Sequence, residues 1–255
     1  MTTDLPILHS ADLVTDAPRT VLLTGATGNI GAKLRAAWSD RYELILLDLD
    51  AKGDAEILAA DLARWDEAWL DLLDETDVVV HLAANSSPEA TWPELIGPNL
   101  DAVANLCIAS ALAGVERVIL ASSTHVIGGS FTTLPPPYDD ATIPQPPSPY
   151  GSSKLFGERI GRSIARAFGV SVLALRLGWC QQGENRCETL PNEIARRSWL
   201  SNRDVIHLFT RAVEADLEPG TFLASFACSN NSHTPWHFPA LRRLIGYEPQ
   251  DNACP

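Results

Sequence analysis

Basic residues are scarce in this chain. Its 255 residues include 19 Lys and Arg against 32 Asp and Glu, a formal net charge of −13. So acidic a chain repels nucleic acid and anionic membranes, which argues against either as its main partner. A small anionic substrate is still allowed, because one or two arginines at contact distance outweigh a field screened beyond about 10 Å. Long apolar runs are also lacking. No stretch approaches the ~20 residues of a membrane-spanning helix, although hydrophobic residues make up 45% of the chain. The first 19 residues carry Asp4, Asp12 and Asp16 and no basic segment followed by an apolar core. They do not read as a signal peptide, and a short N-terminal extension over 1–19 is expected. Cys107, Cys180, Cys187, Cys228 and Cys254 are odd in number and match no zinc or redox spacing. Reduced structural thiols in a cytoplasmic protein are therefore expected, and no metal. His207, His233 and His237 lack ligand spacing as well. Internal repeats and low-complexity segments are absent.

What is present is an alternation of short apolar strands with helices. Strands are expected over 20–24, 42–49, 56–62, 77–82, 117–122, 171–177 and 221–227. Helices are expected over 28–38, 63–75, 99–113, 150–168, 202–215 and 235–245. In the helix at 63–75, the spacing puts Trp65, Trp69, Leu72 and Leu73 on one side. Continuously apolar strands separated by helices indicate a parallel sheet covered on both faces, an α/β doubly wound architecture. Residues 20–178 form the expected nucleotide-binding domain, and 179–255 a small C-terminal substrate lobe interleaved with the sheet. The stretch 132–149 holds seven prolines and reads as a loop: a lid, a substrate wall or a rigid surface excursion.

Gly25, Gly28 and Gly31 lie between the first strand and the first helix. Glycine allows a tight turn and close approach of backbone to a pyrophosphate, which the helix N-terminus attracts through its free N–H groups. The strand–loop–helix context marks a dinucleotide site, with Asn29 and Ile30 inside the loop. Asp48 ends the second strand, where a carboxylate accepts the ribose hydroxyls of NAD and repels a 2′-phosphate. Lys52 is the nearest cation, so NAD is favoured over NADP. Asp61 and Leu62 are expected beside the adenine, and Leu82, Ala83 and Ala84 beside the cofactor. Asn99 opens a helix and serves there as a cofactor contact or as an N-cap. His81 reads as a satisfied core residue.

Tyr150 and Lys154 are four apart on a helix and share a face. An ammonium beside a phenol favours the phenolate, whose unperturbed pKa is about 10, and so creates a proton acceptor. Ser122 and Ser123 precede them at the end of a strand. With the glycine loop, Ser122-Ser123-Thr124-His125, Tyr150-Gly151-Ser152-Ser153-Lys154 and Arg176-Leu177-Gly178, the chain resembles the extended short-chain dehydrogenase/reductase superfamily. His125, the run Ser198–Asp204 and the ending Gly246–Ala253 make it most similar to the bacterial uronate dehydrogenases.

The resemblance implies a Rossmann fold and NAD-dependent oxidation of galacturonate or glucuronate at C1 to an aldarolactone. It further implies Tyr150 as general base, Lys154 as its activator and holder of the nicotinamide ribose, and Ser123 bonded to the reacting hydroxyl. Asn99 would anchor a relay water, and Ser86, Thr124 and His125 would contact the sugar. An arginine, Arg186 before Arg196 or Arg197, would grip the carboxylate. A homo-oligomer is implied as well. The chain departs from the family pattern at Thr124, where Asn is usual, and at Trp179, where a small polar residue is usual. Its proline loop is longer, and the family continues into another helix beyond the point where this chain stops. Trp179 would fill the pocket or offer a stacking face. The other readings are a nucleotide-sugar epimerase or dehydratase, a dehydrogenase of another small sugar or alcohol, and an NAD-sensing scaffold.

Overall fold

A computed structural model describes residues 18–132 and 134–253; most of the expected N-terminal extension lies outside them. In chain order the elements are β1 (Thr20–Thr24), α1 (Asn29–Trp38), β2 (Glu43–Asp48), β3 (Ile57–Ala59), α2 (Glu67–Leu70), β4 (Val78–His81), α3 (Trp92–Leu95), α4 (Ala102–Ala113), β5 (Arg117–Ser123), α5 (Pro149–Phe168), β6 (Ser171–Leu177), α6 (Glu193–Arg197), α7 (Asn202–Glu214), β7 (Phe222–Ala227) and α8 (Pro239–Ile245). The strands form one sheet in the order β3-β2-β1-β4-β5-β6-β7, and every pairing is parallel. This is the doubly wound Rossmann-type sheet. Its order reverses between β1 and β4, and a ligand crevice opens at such a switch point.

Strand alternation divides the core. Val21 and Leu23 of β1 face α1, α7 and α8, where they meet Leu34, Trp38, Leu208 and Phe209. Leu22 faces the opposite way, with Trp69, Leu106 and Ile164 from α2, α4 and α5.

Several boundaries differ from expectation for local reasons. The helix expected at 99 begins at Trp92 and passes through a π-helical turn, Ile96–Asp101, into α4. The Glu94 carboxylate accepts from the Thr91 N–H and hydroxyl, which anchors the earlier start. The run Trp92–Ala113 is long and apolar enough to span a membrane by composition, which corrects the expectation of no such run; half of it is buried inside the protein, as in a core helix. The helix expected over 63–75 is cut short because the Asp66 carboxylate caps it at Ala68 N. Trp65 therefore lies before the helix, exposed, while Trp69 is buried. Cys187 is disulfide-bonded, which corrects the all-reduced expectation; Cys107, Cys180 and Cys228 are free thiols.

The proline loop is strapped down. Tyr138 N–H donates to Pro235 O (2.8 Å) and accepts at its own carbonyl from His237 N–H (2.8 Å). Gln145 O accepts from Gly129 N–H (2.7 Å), and Ser225 Oγ donates to Asp140 (2.5 Å). These bonds make it a fixed wall.

Candidate active site

A cleft of about 970 Å³ opens over the C-terminal ends of the strands. Its nucleotide half is shaped by backbone. Gly25 has φ +72°, and a Cβ there would lie 2.7 Å from Ala83 N. A Cβ on Gly31 would sit 2.1 Å from Gly25 O, so only glycine lets α1 begin this close to β1. No side chain caps the start of α1, and its N–H groups remain available to phosphates. The Asp48 carboxylate accepts from Thr27 N–H and Thr27 Oγ1, both at 2.9 Å. Lys52 Nζ donates to Thr27 O at 3.2 Å. A glycine cradle, an open helix end and a carboxylate at the ribose position fit NAD. Below the cradle, Thr24 Oγ1 lies 2.8 Å from His81 Nδ1. Burial lowers the pKa of His81 to about 3, which keeps this link between β1 and β4 neutral.

Ser123, at the end of β5, and Tyr150, in the first turn of α5, meet at the centre of the cleft. Ser148 caps that turn by accepting from Gly151 N–H (3.2 Å). Gly151 allows the turn to approach His125, because a Cβ there would meet His125 O at 2.5 Å. Burial raises the phenol pKa of Tyr150, and its hydrogen bond with the Ser123 hydroxyl pulls in the opposite direction. Lys154 Nζ lies 5.8 Å from the Tyr150 ring centroid and donates to Ala121 O at 3.0 Å. Burial brings its pKa down to about 8. The His125 ring stands edge-on to Tyr150 at 5.5 Å, and burial lowers its pKa.

Gly25, Gly28, Asn29, Ile30, Gly31, Asp48, Asp61, Leu62, Leu82, Ala83, Ala84, Ser86, Ser123, Thr124, His125, Tyr150 and Lys154 all line this one cleft. Two expected residues do not. Asn99 sits inside the π turn, not at a helix start. It accepts from Asn85 N–H (2.8 Å) and donates to Asn85 O and Ser153 Oγ (3.0 Å each). It borders a separate cavity of about 20 Å³, shared with Lys154 and His81 and large enough for one water. Arg186 is 60% exposed and pairs with Glu184 at 3.1 Å, outside the cleft lining. Its segment folds around Gln181, whose carboxamide oxygen accepts from Arg186 N–H and Trp199 Nε1, and this sends the guanidinium outward.

The cleft also uses residues that no motif flagged, among them Cys180, Asn192 and Ile194. The clamp between α1 and the segment after β6 was equally unmarked: Lys33 Nζ donates to Asn29 Oδ1 and Gln181 O, both at 2.8 Å. Behind Ser123 lies a buried triad. Ser122 Oγ donates to Glu158 (2.7 Å), and Arg176 grips the same carboxylate with two bonds of 2.8 Å. Ser122 and Arg176 stand in segments that carry the superfamily resemblance, but their meeting at Glu158 appears only in the fold.

Residues 21–180 match the model of the NAD dependent epimerase/dehydratase family. The chain is 32% identical to the NAD-dependent glucose-6-phosphate dehydrogenase of Haloferax volcanii, over 92% of this chain and 94% of that one. It is 31% identical to L-arabinose 1-dehydrogenase (NAD(P)(+)) of the same organism, over 92% and 97%. With the uronate dehydrogenase of Pseudomonas putida it shares 29% identity over 91% and 84%. Among solved structures, glucuronic acid dehydrogenase from Chromohalobacter salexigens superposes with a TM-score of 0.80 at 29% identity, covering 93% of this chain and 86% of that one.

Proposed function

This chain belongs to the NAD dependent epimerase/dehydratase family and is an NAD-dependent sugar dehydrogenase, and from that premise we propose that it oxidises the anomeric C1 hydroxyl of a sugar to a lactone. The observation that carries this reading is that Ser123, Tyr150 and Lys154 line one cleft, with the Lys154 ammonium 5.8 Å from the Tyr150 ring where the two halves of the cleft meet. NAD, when bound, supplies the hydride acceptor. Gly25, Gly28 and Gly31 admit its pyrophosphate to the backbone, and Asp48 holds the adenosine ribose. Ser123 hydrogen-bonds the reacting hydroxyl, and Tyr150 takes its proton. Burial alone keeps that proton on the phenol, so the positive charge of Lys154 must offset it. A uronic acid is the substrate class that the uronate relatives support. Loss of a C1 hydride is the same step for a neutral aldose. The outward faces of α4 and α5 expose Ile108, Leu112 and Phe168, which supports the homo-oligomer.

The test is NADH formation by the purified protein with D-galacturonate, D-glucuronate and neutral aldoses. Turnover should fall by about 100-fold or more in Tyr150→Phe, the usual contribution of a general base, with NAD affinity retained. Unchanged turnover in Tyr150→Phe would refute the assignment.

A further inference from the structure

We infer that the substrate half of the cleft is built for an uncharged sugar, lying with its apolar face on the Trp179 indole, and not for a uronate or a sugar phosphate. The inference rests on the proposed C1 oxidation only in turning the reacting end of the sugar toward Tyr150.

The argument begins with charge. Among the described residues that line the cleft, Lys154 is the single Lys or Arg, and it sits at the reacting end with a bond to Ala121 O. A carboxylate or phosphate at the far end of the sugar would shed its water without gaining a counter-charge there. An unpaired charge taken out of water costs more than hydroxyl contacts return. Of the guanidiniums nearest in sequence, Arg186 pairs with Glu184 and Arg197 with Glu193, and neither of these nor Arg196 is among the residues that line the cleft.

The groups that do face the cleft suit hydroxyls and C–H bonds. Ser198 Oγ accepts from Trp236 Nε1 at 3.1 Å and keeps its own hydrogen to donate. Asn192 uses its carboxamide oxygen to cap α6 (2.9 Å from Ala195 N), which leaves its NH₂ group to donate. Trp179 is 47% exposed and Ile194 69% exposed. Large apolar groups left open on a cleft wall mark a binding surface. The backbone at Trp179 is held in place: its main-chain N–H donates to Ser198 O (2.8 Å), and its carbonyl accepts from Leu200 N–H (2.9 Å), which fixes where the indole is presented. The indole can take the C–H face of a sugar ring.

The test uses Tyr150→Phe saturated with NAD, so that binding is read without turnover. Calorimetric titrations compare sugars differing only at C6: D-galactose with D-galacturonate, and D-glucose with D-glucuronate and D-glucose 6-phosphate. The neutral member of each set should bind at least tenfold more tightly. Adding Trp179→Ala should weaken neutral-sugar binding at least tenfold while NAD affinity changes less than twofold. Adding Ile194→Arg should strengthen uronate binding about tenfold. A uronate or phosphate binding as tightly as its neutral partner would overturn the inference, as would no binding of either neutral sugar. Binding with this preference, but no NADH formation by the unsubstituted enzyme, would overturn the C1-oxidation reading and leave the charge preference standing.

Discussion

Burial makes Tyr150 hold its proton more firmly than a phenol in water, and Lys154 more ready to lose its own. Both shifts oppose the phenolate, so in the proposed reaction the positive charge of Lys154 is what has to offset them. In Lys154→Met, kcat/KM at pH 7 should fall by about 100-fold or more, and its rise with pH should move to higher pH. A pH–rate profile measures both effects. His81 makes a second prediction, about stability. Its pKa is about 3 in the fold against 6.5 unperturbed, so between those values the unfolded chain binds the extra proton. Stability is then lost as pH falls below 6.5, by about 1.4 kcal/mol per unit from this group. His81→Gln should show a shallower loss than the parent between pH 6.5 and 5 in denaturant titrations. At Asp48 the prediction concerns cofactor choice. Asp48→Asn removes the charge that repels a 2′-phosphate, and the ratio of NAD to NADP efficiency should fall at least tenfold in initial-rate assays.

Among the elements, the glycine turn was the most legible in the sequence, because its spacing encodes a backbone constraint that needs no tertiary knowledge. Gly31→Ala would push a Cβ to 2.1 Å from Gly25 O. It should cost about 1–3 kcal/mol of stability, as overpacking does, and weaken NAD binding; thermal melts and NAD titrations report the two. The strands were equally readable from their apolar runs, and β1 and β6 begin and end where the sequence places them. Side-chain direction in irregular chain was not readable. Arg186 had the right chemistry for a carboxylate, but its direction is set by Gln181 and Trp199, the latter 13 residues away. Ile194 carries no motif and reaches the cleft only because Asn192 starts a short helix there. The π turn hid Asn99 for a similar reason: helical periodicity is blind to one extra residue per turn.

At the scale of the whole molecule, a net charge of −13 means that the compact state repels itself. Salt screens that repulsion within about 10 Å at 0.1 M and about 3 Å at 1 M. The melting temperature should therefore rise by several degrees between low salt and 1 M KCl, and scanning calorimetry would show it. A fall would mean that exposed ion pairs such as Arg19–Glu116 outweigh the long-range field. The parallel sheet has a further consequence, in time. Each strand of a parallel pair must wait for the chain to travel out and back across the sheet. Thr24 of β1 finds its neighbour His81 only 57 residues later, so the central pairing cannot close on the ribosome until about a third of the chain has emerged. Loop-closure entropy is spent before that contact returns anything. Refolding from denaturant should accordingly be slow for a chain of this length, with the edges of β1 and β4 open to other chains until they meet.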